Sequence, residues 1–530
     1  ASFEPYYDFK KWVHYGDNPI ADHNPPRKIG IEVRQVTKPE FSDIQTQLVE
    51  QLGTYDSYLV AALQTRMAAK AVYTRDEFVS TFVTICMVPY VDWALRDAIR
   101  RGYQTLYFIS RDGHPLKRIA DAIIEARGLN VKTKYIYASR RTWRIPSFIH
   151  EVDREFWEPY GSFGNITSKD KLLKAMDLTD RQFRKFFPAV VLDGVNFTDK
   201  KVLNGLIDIF KKSESYNQYL MKKGAEERVL VSRYLEQEID RTEKFAFVEY
   251  WGRGYTQDCF VRLWHDIVGE EVDVPYYYSR TVLPTIGHSV RYNFTTNNTA
   301  QFFMEGIFAN MPYKSIEKYQ VVDGKVEPVI VPVPHDTSLF DSMQRLLPEF
   351  AYQYAKLPLH TPEDTDRMLY EFALNYYRNN LENEEFAEQI GGLVDSISLY
   401  GKKREFAPPF TMKMLDSFAS KEKTRGMGSV TTSITMSVTR ASEEVKRRYF
   451  EMYQIMPGDG YASGRLLSEG ELEENRKYKE KYEEIKERAE RFAELYDEAS
   501  DVYGIENKIV FVTNAKNFTS GYLGRNDEST

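Results

Sequence analysis

Short apolar runs alternate with amphipathic helical stretches in two separate parts of this 530-residue chain. Four runs have the β-branched and aromatic composition of strands, and they lie at 105–109, 134–138, 245–248 and 272–278. A helical pattern follows the first run, from Pro115 to Arg127, and another follows the third, from Thr256 to Val268. A strand, a helix and a strand in this rhythm are typical of parallel β–α–β units. The pattern therefore predicts an α/β fold with a Rossmann-like, three-layer core.

The rest of the chain divides around that core. Residues 150–240 lose the alternation and become helical and strongly charged, which predicts a cap-like helical insert. Asp323-Gly324 lies between two strand-like runs and predicts a type I′ hairpin. A long charged helix is predicted at 468–503 and a further strand at 508–513. The predicted domains are an extended N-terminal arm (1–40), a core in two pieces (41–149 and 241–300), the helical insert (150–240), a β-hairpin region (301–335) and a mainly helical C-terminal region (336–530).

Composition narrows the functional classes. The chain has 71 Lys and Arg residues against 78 Asp and Glu residues, a net charge of −7 with no basic stripe, so nucleic-acid binding is not predicted. Its two cysteines, Cys86 and Cys259, lie in apolar stretches, which excludes a disulfide framework. Residues 1–17 contain no apolar leader segment, and no other window approaches about 20 uncharged apolar residues. We therefore expect a cytoplasmic protein without a membrane span.

Arginine follows each of the four predicted strands, in Ser110-Arg111, Ser139-Arg140-Arg141, Gly252-Arg253-Gly254 and Ser279-Arg280. Ligands of open α/β sheets bind beyond the carboxyl ends of the strands, where guanidinium groups and hydroxyls donate well to phosphate oxygens. Glycines there let backbone amides approach a phosphate closely. The pattern predicts a phosphate pocket formed by Arg111, Gly113, Ser139, Arg140, Arg141, Gly252, Arg253, Gly254 and Arg280. The alternative is that each arginine merely pairs with a surface carboxylate.

Two carboxylates belong to the same predicted edge. Asp112 follows the first strand and Glu249 ends the third. Asp112 is a candidate general acid/base, and both are candidate Mg²⁺ ligands, because hard cations bound to phosphate take oxygen ligands. His114 is a candidate proton donor or phosphate contact. The alternatives are that the carboxylates hold the arginines in place and that the histidine is solvated.

Other catalytic classes lack their motifs. The eight histidines form no HExxH pattern, and there is no Walker A sequence, no Gly-x-Ser-x-Gly elbow and no Gly-x-Gly-x-x-Gly after the first strand. Zinc enzymes, P-loop enzymes, elbow hydrolases and dinucleotide enzymes are therefore disfavoured.

Three motifs of this chain together resemble a bacterial protein family. They are Tyr107-Phe108-Ile109-Ser110-Arg111-Asp112-Gly113, Tyr135-Ile136-Tyr137-Ala138-Ser139-Arg140-Arg141, and Phe247-Val248-Glu249-Tyr250-Trp251-Gly252-Arg253-Gly254-Tyr255-Thr256-Gln257. The family consists of predicted hydrolases of the haloacid-dehalogenase superfamily that occur with glycosyltransferases in capsule and lipopolysaccharide gene clusters. The resemblance covers roughly residues 40–335.

The resemblance implies a role for each matching residue. Asp112 takes the place of the second aspartate of the Asp-x-Asp-Gly signature, the general acid/base. Ser139 matches the phosphate-binding hydroxyl, and Glu249 matches the late acidic residue that helps to hold Mg²⁺. Ser110 stands where the aspartyl nucleophile belongs, which makes it a candidate catalytic residue and also a departure from the family, because a neutral serine substitutes poorly for the carboxylate that forms a phospho-enzyme.

Three functions remain open. The first is an enzyme that handles a phosphorylated sugar or polyol, by phosphoester hydrolysis or phosphosugar chemistry, in cell-surface polysaccharide biosynthesis. The second is a glycosyl- or polyol-phosphate transferase that uses a nucleotide-activated donor. The third is a noncatalytic scaffold of a polysaccharide assembly complex. The expected partners are the phosphorylated or nucleotide-sugar ligand and either a glycosyltransferase or a second copy of the chain.

Overall fold

The computed structural model describes residues 11–35, 40–159, 161–164, 166–281, 287–296, 302–313, 315–333, 336–394, 405–419, 434–454, 465–466 and parts of 470–491. Its strands, in chain order, are β1 (Val13–Gly16), β2 (Glu32–Gln35), β3 (Thr105–Ile109), β4 (Lys132–Ile136), β5 (Phe245–Val248), β6 (Trp251–Gly252), β7 (Val274–Tyr278), β8 (Arg280–Thr281), β9 (Ser289–Asn293), β10 (Tyr319–Val322), β11 (Lys325–Pro328), β12 (Tyr453–Gln454) and β13 (Arg465–Leu466).

The α-helices of the described residues are α1 (Asn24–Lys28), α2 (Asp43–Leu52), α3 (Tyr55–Ala68), α4 (Asp76–Phe78), α5 (Thr84–Arg100), α6 (Gly113–Arg127), α7 (Arg140–Arg144), α8 (Lys169–Ala175), α9 (Asp180–Phe186), α10 (Lys200–Lys211), α11 (Glu214–Glu238), α12 (Tyr255–Val268), α13 (Phe302–Ala309), α14 (Ser338–Tyr354), α15 (Pro362–Asn379), α16 (Glu384–Gly391), α17 (Met412–Ala419), α18 (Ile434–Thr439) and α19 (Glu443–Met452). Short π-helical turns lie at Pro19–His23 and Val79–Val83, and a 3₁₀ turn lies at Arg154–Trp157.

The chain is an α/β protein with a five-stranded, all-parallel sheet flanked by helices and a mostly helical remainder. The strand order is β4-β3-β5-β7-β9. The strand β4 therefore lies on one side of β3, and β5, β7 and β9 follow in chain order on its other side. All five residues of β3 and of β7 are buried, as expected for parallel strands covered on both faces. The order reverses between β3 and β5, and a crevice opens at the carboxyl ends of strands at such a reversal.

Prediction and structure differ in three strands of this sheet, the smallest difference being that the strand predicted at 272–278 begins at Val274. The second strand begins two residues earlier than predicted, because Lys132 and Thr133 pair with Thr105 and Leu106 of β3. The fifth strand, β9, was not predicted, and it pairs in parallel with β7 from Val274↔Ser289 to Tyr278↔Asn293. Its sequence, Ser-Val-Arg-Tyr-Asn, is too polar to read as a covered strand.

Helices α8 to α11 follow β4 and pack around a hydrophobic cluster of their own. The cluster is rich in aromatic rings, among them Phe156, Trp157, Phe183, Phe210 and Tyr216. Polar residues cap the helices: Thr179 accepts from the amide of Gln182 at the start of α9, and Ser213 accepts from the amide of Tyr216 at the start of α11. The segment is therefore a folded helical body inserted between two strands of the sheet.

The chain separates into two compact units. The first comprises Ala1–Trp93, Arg118–Leu129 and Ser342–Phe372, and the second comprises Ala94–Lys117, Asn130–Asp341 and Ala373–Thr530. In the first unit, Asp56 accepts hydrogen bonds from the amides of His360 and Thr361 and from the Thr365 hydroxyl. Burial opposes ionisation of Asp56, but these bonds prevail and lower its pKa. The carboxylate thus fixes the 360–365 turn to α3.

The residues at the start of the described chain differ from expectation. Residues 11–35, predicted as part of an extended arm, form the parallel pair β1–β2 around a helical turn, because the Asn18 side chain caps that turn through the amides of Ile20 and Ala21. The helical stretch Asp76–Arg100 is long and apolar enough to span a membrane, but its most apolar 18 residues are all buried inside the protein.

The hairpin predicted around Asp323-Gly324 is present, with β10 and β11 antiparallel. Asp323 and Gly324 have φ of 49° and 81°, the left-handed values that a type I′ turn requires. The predicted strand at 508–513 lies outside the described residues, as does much of the predicted charged helix at 468–503.

Candidate active site

Asp112 and Glu249 meet at the point where the strand order reverses. Asp112 follows β3, Glu249 comes directly after β5, and these two strands are neighbours in the sheet. The two side chains are close enough for the negative charge of Glu249 to raise the pKa of Asp112. The structure therefore brings together the two carboxylates that the sequence singled out.

The pKa of Asp112 is raised to about 8. Burial is the main cause, repulsion by Glu305 and Glu249 adds to it, and the neighbouring Arg111 opposes it. Asp112 therefore holds a proton at neutral pH, which is the state that a general acid needs.

The pKa of Glu249 is raised to about 7, again mainly by burial. Attraction to Arg140 and a hydrogen bond from Tyr278 oppose that effect, while Glu305 adds to it. Both carboxyls therefore have pKa values raised into the range around neutrality, where a general acid or base operates.

Glu305 is a site residue that sequence reasoning missed. It lies on α13, whose sequence Phe-Phe-Met-Glu-Gly-Ile-Phe-Ala is apolar apart from this one carboxylate. Its charge acts on both Asp112 and Glu249. The signal available in the sequence was the single acidic residue in an otherwise apolar helix, since an isolated carboxylate there needs a functional or structural reason.

The predicted arginines separate into two groups. Arg111 and Arg140 act electrostatically on the carboxylates, and in the described part of the chain Nη1 of Arg111 is buried without a hydrogen-bond acceptor. Arg141 lies 3.2 Å from the carboxylate of Asp177 in an ion pair. Arg253 is exposed just before α12, and Arg280 is half-buried on β8.

The two predicted serines are engaged with the backbone. The Ser110 hydroxyl donates to the carbonyl of Ala138 at 2.6 Å and accepts from the Ala138 amide at 3.0 Å, which joins the ends of β3 and β4. The Ser139 hydroxyl accepts from the amides of Arg141 and Thr142 and donates to the carbonyl of Ile316. Ser110 thus has a joining role and Ser139 a capping role.

Two of the three predicted glycines are required by their surroundings or their backbone conformation. A Cβ on Gly113 would lie 2.6 Å from the carbonyl carbon of Phe108, so only glycine lets α6 begin this close to β3. Gly254 has φ of 83°, and a Cβ there would lie 2.3 Å from Cζ of Arg291. Gly252 lies on β6, which pairs with β8.

Arg291, on the unpredicted strand β9, is the most deeply buried arginine near this loop. Its side chain is 2% exposed, lies 2.6 Å from the Asp258 carboxylate, and donates to the Gln257 side chain and the Gly254 carbonyl. Arg291 therefore supports the Gly252–Gly254 loop from beneath. Its partners lie more than thirty residues earlier in the chain, so no local pattern reveals the role.

Aromatic rings stand beside Asp112. The hydroxyls of Tyr135 and Tyr313 share a hydrogen bond, and the rings of His114 and Tyr137 contact Tyr135 edge-on at centroid distances of 5.7 and 4.8 Å. Burial and neighbours that include Asp112 raise the pKa of both bonded tyrosines, that of Tyr313 to about 12. The tyrosine hydroxyls therefore remain neutral hydrogen-bonding groups next to the carboxyl and Arg111.

The donor set suits a metal ion only in part. No three acidic, histidine or cysteine side chains among the described residues are grouped closely enough to hold an ion. Asp112 and Glu249 supply two carboxylates, and Mg²⁺ is commonly held by one or two carboxylates together with substrate phosphates and water. These two carboxyls would hold Mg²⁺ only in their ionised forms and with a phosphorylated ligand to complete the shell.

The fold and the site define an α/β protein with a pair of poised carboxylates at the reversal point of a parallel sheet. The chain matches no protein-family model, and no curated protein matches it.

Proposed function

We propose that this protein is an enzyme that acts on a phosphorylated sugar or polyol in bacterial cell-surface polysaccharide biosynthesis, on a Rossmann-like core similar to that of the haloacid dehalogenases. The observation that carries the proposal is the grouping of Asp112, Glu249 and Arg111 at the carboxyl ends of β3 and β5. Carboxyl groups with pKa values near neutrality, next to a cation suited to phosphate, are the equipment of phosphoester chemistry.

The reaction supported best is direct hydrolysis of a phosphoester. Arg111 and Arg140 bind and orient the phosphoryl oxygens. Glu249 accepts a proton from a water molecule that attacks phosphorus. Asp112 donates its proton to the leaving oxygen as the phosphorus–oxygen bond breaks, so a free alcohol and inorganic phosphate are formed. Mg²⁺, if held by the ionised forms of Asp112 and Glu249 together with the phosphate, would supply charge neutralisation in place of this acid–base pair.

A phospho-enzyme on Ser110 is disfavoured by the hydrogen bonds of that residue. Its hydroxyl is already both donor and acceptor to the backbone of Ala138. We therefore assign Ser110 a structural function. Because the aspartyl nucleophile of the family is missing, we propose that water attacks phosphorus directly, in one step.

A second candidate function is transfer from a nucleotide-activated donor. It is favoured by the aromatic group formed by His114, Tyr135, Tyr137 and Tyr313, because tyrosine rings and hydroxyls pack well against sugars. Such an enzyme would use the same carboxyls to activate an acceptor hydroxyl. A cytoplasmic location, and a glycosyltransferase or second copy of the chain as partner, remain predictions of the same proposal.

Release of inorganic phosphate from a panel of sugar and polyol phosphates with Mg²⁺ tests the proposal. We expect release by the wild-type protein, a loss of about 100-fold or more in Asp112→Asn, and full activity in Asp121→Asn, an exposed aspartate of α6. Ser110→Ala should retain turnover, since its hydroxyl is not the nucleophile. Release of nucleotide from activated donors, without phosphate release, would select the transferase. No turnover of either class would refute both candidates.

A further inference from the structure

Arg144, the last residue of α7, is buried without a counterion. It is 8% exposed, and its Nε is enclosed without a hydrogen-bond acceptor. Among the residues that the structure describes, no carboxylate forms an ion pair with it and no oxygen accepts from its guanidinium. Arginine is rarely this buried unless it is paired, because removing the charge from water is costly.

Within the described residues, the neighbours of Arg144 offer a cation–π contact but no counterion that is not already paired. Its Cζ lies 5.4 Å from the centre of the Phe156 ring, and the Tyr216 ring is also close to it. Arg140 and Arg141 repel it, and burial lowers its pKa. The carboxylate that attracts it, Asp177, is already bound to Arg141 and Lys223.

The local charge balance is therefore positive. In the described chain four cations, Arg140, Arg141, Arg144 and Lys223, face three carboxylates, which are Asp177, Glu227 and, next to Arg140, Glu249. Among these described residues, the cation left without a carboxylate partner is Arg144, the most buried of the four. A guanidinium with free donors, low solvent exposure and excess positive charge around it is the arrangement that binds an oxyanion.

We propose that Arg144 binds an oxyanion of the ligand and forms a second anion subsite. Arg140 links the two places, since it acts electrostatically on Glu249 on one side and on Arg144 on the other. Resting on the proposed function, the inference names the substrate class more closely: the ligand carries a second anionic group besides the phosphoryl group that reacts at Asp112.

The competing explanation is a structural prop, in which Arg144 serves only to pack against Phe156. The two explanations differ in the effect of Arg144→Met, which keeps a long side chain and removes the charge. A prop would lose stability in the absence of any anion. A buried charge without a counterion would not, because replacing it by an apolar side chain removes an unfavourable desolvation.

Calorimetry with inorganic phosphate tests the subsite directly. Arg111→Met serves as the starting protein, because it removes the phosphate contact nearest Asp112. We expect inorganic phosphate still to bind, its affinity to fall at least tenfold when Arg144→Met is added, and no change when Arg184→Met is added. Arg184 is an exposed arginine of the same insert, already paired with Asp180 at 2.8 Å, and is the matched control.

The same titration with acetate in place of phosphate shows whether the second anionic group of the ligand is a carboxylate or a phosphate. The anion whose affinity depends more strongly on Arg144 identifies that group. Phosphate binding that is indifferent to Arg144→Met, absence of binding, or a lower thermal midpoint of Arg144→Met without anion would each overturn the subsite. Turnover is measured separately: an inactive protein that still binds phosphate through Arg144 would refute the proposed function and leave the subsite standing.

Discussion

Asp112→Asn should stabilise the folded protein, and by more as the pH rises. Burial, with repulsion from Glu305 and Glu249, raises the pKa of the Asp112 carboxyl from 3.8 to about 8 in spite of Arg111. In the unfolded chain the same carboxyl ionises near its ordinary pKa. Between these two values the folded protein holds a proton that the unfolded chain releases, so wild-type stability falls with rising pH, whereas the uncharged amide does not titrate.

The magnitude follows from the width of that window. Each pH unit between the two pKa values changes the difference in free energy of unfolding by about 1.4 kcal/mol. From pH 5 to pH 8 the variant should gain about 4 kcal/mol over the wild type, reduced to about 2 to 4 kcal/mol because water reaches part of the Asp112 side chain and screens it. Below about pH 4 the gain should vanish, and above about pH 8 it should level off.

Unfolding midpoints measured from pH 5 to pH 9 check this prediction. Wild type, Asp112→Asn and the exposed control Asp121→Asn are compared at each pH, with a probe that follows the sheet-bearing unit. The control should remain parallel to the wild type. A gap for Asp112→Asn that is constant, or that narrows as the pH rises, would show that Asp112 is not protonated in the folded state.

Two further predictions concern neighbours of this site. Glu305→Gln removes a negative charge that raises the pKa of Asp112, so the alkaline limb of the pH–rate profile should move to lower pH. An unchanged alkaline limb would show that Glu305 does not influence the ionisation of Asp112. Gly254→Ala and Gly269→Ala both place a side chain at positive φ, 83° and 79°, but only the first meets the Arg291 guanidinium, at 2.3 Å. Denaturant midpoints should show a loss of about 1 to 2 kcal/mol for Gly269→Ala and a clearly larger loss for Gly254→Ala, and equal losses would contradict the clash.

The parallel sheet was predictable where strands are buried on both faces. The strands β3 and β5 consist almost wholly of apolar residues, so local composition suffices to place them. The strand β9 carries Arg291, whose charge is neutralised by Asp258 on α12. Because that partner comes from another element, the local pattern reads as a polar loop although the chain forms a strand.

The same distinction explains the site. Asp112 and Glu249 were predictable because parallel strands bring their carboxyl ends to one edge. Glu305 and Tyr313 reach that edge by tertiary packing, which no spacing in the sequence encodes. Ser139 shows why a single position can be ambiguous. The sequence pattern of a serine before a helix is the same whether its hydroxyl binds phosphate or caps the helix, and in the structure the hydroxyl caps α7.

Arg111 and Asp112 adjoin in the chain, yet in the described residues the guanidinium keeps a buried Nη1 without an acceptor and the carboxyl holds a proton at neutral pH. A chain selected only for stability would pair these two groups, since each pays a desolvation penalty that an ion pair would reduce. Arg144 repeats the pattern on α7. Unpaired donors and a protonated acid held together at one sheet edge are favourable only when a ligand supplies the missing anion, so an anion that binds there must raise the unfolding temperature by mass action. The stability of the free protein and its affinity for phosphate are therefore expected to change in opposite directions when Arg111 or Arg144 is replaced by an apolar residue.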